Sequence, residues 1–177
     1  MFPMPGWQVV LGEVLAPVAI LAAVQWLLLV VGVLLFPNRL DQHSISVVLR
    51  GSVALGAAIV LPFVDFTALL IPNAAVLFFP AWFQLGKEGP RGFEATGQRL
   101  ILMFGQLFIL VLSLAPATAV FAVVFLVGSR FLPQAAMVLA GSVAVAVVLA
   151  VEVAIGLKLL GGVFERFDLS KEISDLQ

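Results

Sequence analysis

Among the polar residues that interrupt the long apolar runs of this sequence are Glu13, Gln25, Asp65 and Glu152. A charge at the centre of a bilayer costs at least about 2.5 kcal/mol on insertion scales, so such groups face a bundle interior or water. Glu13 and Glu152 are therefore candidates for a polar path or an inter-helix contact. Each also has a plainer reading, a place close enough to a membrane surface to stay hydrated. Glu13 lies only a turn or so inside its apolar run, whereas Glu152 is deeper in the last one. Asp65 stands near Pro62, where a helix break or a turn accounts for it equally well.

Other chemistries lack the residues they need. Cysteine is absent, which removes disulfides, thiolate metal sites and a cysteine nucleophile. His43 is the single histidine, so neither a histidine metal site nor a Ser-His-Asp constellation can be assembled. Ser52, Ser113 and Ser142 stand alone in apolar runs, where hydroxyls commonly bond back to their own helix. No glycine-rich phosphate loop with its lysine occurs, so any nucleotide must be bound by another subunit. A net charge of −1 offers no basic excess for a nucleic-acid backbone. The expectation is a protein with no catalytic residue, cofactor or metal of its own.

The elements that position these groups follow from composition. The chain has 177 residues, 63% hydrophobic and 11% charged, with a mean hydropathy of +1.20. Soluble domains carry roughly 25% charged residues and about 45–50% apolar ones. A soluble fold of this size could not hide so much apolar surface. An all-α, polytopic bundle of transmembrane helices in a lipid bilayer is expected.

Crossing a hydrocarbon core of about 30 Å takes roughly 20 apolar residues. Three spans stand out, at about 9–36, 100–128 and 131–162. The stretch between Val47 and Phe83 has two readings. It is one span, about 52–71, followed by an interfacial segment around 73–83 whose Trp82 and phenylalanines suit the headgroup level. Alternatively it is a hairpin of two short spans turning near Pro62 and Asp65, which makes five spans in all. Span length prefers four. Charge bias prefers five, because Arg39 and Arg50 then join Lys87, Arg91, Arg99, Lys158, Arg166 and Lys171 on one side. Both readings put a loop at 84–99 and a tail at 163–177 in the cytoplasm. The tail reads as a short surface helix or as a frayed end.

The opening residues carry no positive charge before the first apolar run, so that run is expected to stay as a span and not act as a cleaved signal. Pro17, Pro62 and Pro116 lie inside apolar runs, where they kink helices and shape cavities. Gly51, Gly56, Gly105, Gly141, Gly156 and Gly161 allow close helix approach without forming a clean GxxxG pattern.

The most individual segment is FPAWFQLGKEGPRGFEATGQRL, residues 79–100. An aromatic-proline pair runs into a turn rich in glycine and charge, then into the next span. It is either an anchor with an ordinary loop or a rigid element that docks a soluble partner. This run resembles a signature of the membrane subunits of bacterial ABC exporters, with Phe-Pro-Ala-Trp, Arg-Gly, Glu-Ala and Gly-Gln-Arg-Leu in the same order. The opening Pro5 to Pro17 and the run Phe164 to Asp168 are also similar to that family. The resemblance spans the whole chain but matches only the C-terminal part of such a permease.

That resemblance implies an export permease of the bacterial inner membrane that forms a substrate pathway with other spans, either a second copy or a missing upstream half. It implies a separate ATP-binding-cassette ATPase docked at Gly86, Lys87, Arg91, Glu94 and Arg99. It also implies a cytoplasmic N-terminal edge, which favours four spans. The rival expectation is a membrane scaffold, an assembly subunit or an inactive permease fragment that transports nothing.

Overall fold

The computed structural model describes residues 5–35, 46–78 and 93–174, and at 93–95, 98 and 166–174 it describes the backbone alone. Four helices make up the described chain: α1 (Gly6–Leu35), α2 (Val47–Phe78), α3 (Phe93–Gly128) and α4 (Gln134–Ser174). All four are long and apolar enough to cross a membrane. The chain is a multi-pass membrane protein with an all-α bundle of four candidate spans.

The five-span hairpin does not form. Helix α2 continues through both Pro62 and Pro72 to Phe78, with no turn near Asp65. Residues 73–78 therefore extend the second helix, and 79–83 lie outside the described residues. Proline inside a membrane helix is tolerated when neighbours re-satisfy the backbone group it frees, and α2 has such a neighbour, described below.

Element ends also move from the sequence-based boundaries. Ser46 caps α2, its hydroxyl accepting from Leu49 N–H at 3.1 Å. Helix α3 starts at Phe93, so the end of the expected 84–99 loop, including Glu94 and Arg99, is already helical. A tight turn follows Gly128, whose carbonyl accepts from both Phe131 and Leu132 N–H at 2.9 Å. Phe131 and Pro133 thus belong to the turn and precede α4. Helix α4 then runs for 41 residues to Ser174. The expected tail is a continuation of the last helix, because no glycine or proline after Gly162 stops it.

Helix α4 and its parallel neighbour α2 form the centre; α1 packs on both, and α3 packs on α4 and more lightly on α2. Helices α1 and α3 share no contact among the described residues. Small residues set this arrangement. A Cβ on Gly161 would meet the backbone nitrogen of Trp7 at 2.5 Å, and one on Gly6 would meet the carbonyl oxygen of Gly161 at 2.5 Å, so α1 and α4 touch backbone to backbone. On other faces of α4, Gly156 receives Leu70 of α2 and Gly141 receives the ring of Phe121 of α3. Gly56 of α2 faces Ser142. Van der Waals packing drives membrane helices together, and small residues permit it. Gly51 and Gly105, by contrast, face open space.

The distribution of polarity is the reverse of a soluble protein's. Phe108, Leu34 and Leu126 are 70%, 74% and 69% exposed, while Asp65 is 8% exposed. Ser52, Thr67 and Ser142 are buried as well. An outer surface of Leu, Val and Phe around buried polar groups suits hydrocarbon as the solvent.

Candidate functional site

One apolar cluster locks three helices together near the start of α1. Val10, Val14 and Val18 of α1 meet Leu70 of α2 and Val153, Leu157 and Leu160 of α4. Polar side chains begin where this cluster ends.

Gln25 of α1 donates from Nε2 to Asp65 Oδ1 of α2 at 3.0 Å. Ser113 of α3 donates to Glu152 Oε2 of α4 across a long 3.3 Å. The two pairs lie at one depth in the bundle. Gly56 meets Ser142 and Leu70 meets Gly156, the same offset in residue number along two parallel helices. That offset sets Asp65 level with Val151, beside Glu152. Each helix thus contributes one polar side chain to a single layer.

Cavities flank this layer. One of about 160 Å³ lies between α2, α3 and α4 and is bordered by Thr67, Ser113 and Glu152 among apolar side chains. A larger open groove of about 470 Å³ runs between α1 and α2, with Gln25 and Arg50 on an otherwise aliphatic wall. Water or a small polar group needs partners to occupy such a space, and these side chains supply them.

Beside Gln25, the indole of Trp26 donates to the carbonyl oxygen of Ala58 at 2.9 Å. In an unbroken helix that carbonyl accepts from the residue four positions on, which here is Pro62 and has no N–H. Trp26 supplies the donor that Pro62 lacks. A different long-range bond closes the start of α1. Glu165 Oε1 of α4 accepts from Gly6 N–H at 2.7 Å, placing a carboxylate at the positive end of α1.

The structure sorts the sequence candidates as follows. Gln25, Asp65 and Glu152 all join the polar layer. Glu13 does not: it is exposed on the outer side of α1, without a polar partner among the described residues. Ser52 bonds back to Val48 of its own helix as expected. Ser113 departs from that expectation by reaching across to α4. Of the docking candidates, Gly86, Lys87 and Arg91 lie outside the described residues. Glu94 falls in the first turn of α3, where the backbone alone is described, and Arg99 is exposed.

Sequence reasoning passed over Trp26, Thr67 and Glu165. The orphan carbonyl of Ala58 was legible from Pro62 alone, but which donor would reach it was not. Among the described residues, no three His, Cys, Asp or Glu side chains gather in a way that could hold a metal. No protein-family model, curated protein or solved structure matches the chain.

Proposed function

We propose that this chain is the membrane-spanning part of an export permease of the ABC type, with a separate ATPase as its energy source. The observation that carries the reading is the layer formed by Gln25, Asp65, Ser113 and Glu152, one residue from each helix, next to a cavity. Ionisable groups inside a membrane are costly, pair with one another and mark substrate or ion paths. The order of motifs between Phe79 and Leu100 supports the ABC assignment.

On this reading the chain performs no catalytic step. Binding of ATP by the partner favours one access state through contacts that differ between states. The segment from Gly86 to Arg99 is the docking element, on the cytoplasmic side together with the C-terminal end of α4. The pathway is completed by further spans, supplied by a second copy or an upstream permease half.

Co-purification tests it. The tagged chain should bring down the ATP-binding-cassette protein encoded beside it, and Arg91→Glu with Arg99→Glu should release that protein while leaving the chain folded in the membrane. A folded chain that recovers no ATPase would favour the scaffold reading.

A further inference from the structure

Three polar side chains from three helices border the cavity of about 160 Å³ between α2, α3 and α4: Thr67, Ser113 and Glu152. The register that seats Gly56 on Ser142 and Leu70 on Gly156 sets Thr67 level with Val153, next to Glu152 along α4. Both hydroxyl hydrogens are already committed. Thr67 Oγ1 donates to the carbonyl oxygen of Phe63 at 2.9 Å, and Ser113 Oγ donates to Glu152 Oε2 at 3.3 Å. A hydroxyl that donates its one hydrogen keeps lone pairs that accept, and a carboxylate has about four such sites, of which Ser113 takes one. The cavity therefore offers acceptors from each of these helices. No basic side chain borders it among the described residues.

The rest of the wall is aliphatic, with Leu70, Ile109 and Leu160 among its residues. Acceptors that include a carboxylate suit a cation that donates, and an ammonium carries three N–H donors. A bare metal ion fits poorly. Calcium takes roughly six to eight oxygens, and no three His, Cys, Asp or Glu side chains gather among the described residues. The volume holds about five water-sized groups, the size of an ammonium head with a short carbon chain. We propose that this cavity binds a primary ammonium with a short apolar chain, its head on Glu152, Ser113 and Thr67 and its chain along the aliphatic wall. On the transport reading, on which this assignment rests for its role, that cation is the class of substrate exported.

Thermal unfolding of the whole chain in lipid nanodiscs, titrated with n-butylammonium chloride, tests it. Butylammonium should raise the melting temperature in a saturable way, and n-butanol or sodium chloride at the same concentrations should not. Tetramethylammonium, a cation with no N–H, should bind at least about tenfold more weakly, the usual worth of hydrogen bonds to a charged group. Glu152→Gln should weaken butylammonium binding by a similar factor. Thr67→Val removes a hydroxyl bonded to its own helix, so it should fold and bind more weakly, which keeps the test decisive if Glu152→Gln does not fold. No shift with butylammonium, an equal shift with butanol or sodium chloride, or unaltered affinity in the folded variants would overturn the proposal. No ATPase enters this measurement. Ammonium binding without ATPase recovery would defeat the exporter reading and leave the site standing, and ATPase recovery without ammonium binding would do the reverse.

Discussion

The indole N–H of Trp26 stands 2.9 Å from the carbonyl oxygen of Ala58, the acceptor that Pro62 leaves without an in-helix donor. The next residue back, Gln25, bonds Asp65 on the other side of the same proline. Two consecutive side chains of α1 thus bracket the one-bond gap in α2, and the helix crosses it without turning. This bracket is why Asp65 lies inside the bundle and not at a loop.

Replacing Trp26 with Phe keeps the ring and removes the donor. Thermal unfolding in detergent should show a loss of about 0.6 kcal/mol, the average for hydrogen bonds between membrane helices, and no more than about 1.7 kcal/mol, their maximum. In a Pro62→Ala background the residue at 62 can serve Ala58 itself, so the same change should cost less. A double-mutant cycle with no coupling would contradict the repair role.

Glycine changes should divide by what each faces. Gly161→Ala drives a methyl into the backbone of Trp7 and should cost about 1–3 kcal/mol, as overpacking does. Gly105 has nothing within 4 Å of a Cβ, so Gly105→Ala should be neutral or stabilising. Equal melting temperatures for the two variants would mean α1 and α4 are not packed backbone to backbone.

The bond from Gly6 to Glu165 has its own signature. Glu165→Ala should cost about 0.5–2 kcal/mol, the usual effect of losing a helix cap, and should speed hydrogen exchange in the first turn of α1. Glu165→Gln keeps an oxygen that accepts and should recover part of the loss. If Gln and Ala behave alike, charge at the helix end outweighs the bond itself.

Serine positions offer a further contrast. Ser52 bonds to its own helix at 2.9 Å, and Ser52→Ala should leave stability nearly unchanged. Ser113→Ala removes the polar partner of Glu152 on the neighbouring helix and should destabilise the α3–α4 pairing. Its effect should vanish in a Glu152→Gln,Ser113→Ala comparison against Glu152→Gln alone if the carboxylate is what the hydroxyl serves. Identical costs at 52 and 113 would argue against the inter-helix bond.

Much of the fold was legible in the sequence because lipid imposes a simple rule: a charge-poor run of sufficient length becomes a helix. Three spans followed directly. The second was ambiguous, since a lone chain reading gives Pro62 and Asp65 the look of a turn and does not show that Trp26 and Gln25 of α1 bond to α2 on either side of that proline. The intramembrane candidates were found by rarity, and Gln25, Asp65 and Glu152 did converge on one layer. Their pairing was not legible, because it depends on the offset between α2 and α4, which Gly56 and Gly156 set by contact. Ser113 was misassigned for a related reason: its hydroxyl bonds Glu152 on a neighbouring helix, and sequence shows only its own. Glu13 has the same residue type as Glu152 but falls on the outer side of its helix.

On the transport reading, the polar layer borders a wetted path and not a sealed seam. The sequence contains no cysteine, so single-cysteine variants in native membranes report one position at a time. Thiolates form and react only where water reaches. Ser113→Cys and Thr67→Cys, which border the cavity beside Glu152, should react with a charged, membrane-impermeant thiol reagent. Phe108→Cys and Leu112→Cys, on the exposed apolar side of α3, should not. Protection at all four positions would contradict the transport account and describe a dry bundle that serves as a scaffold.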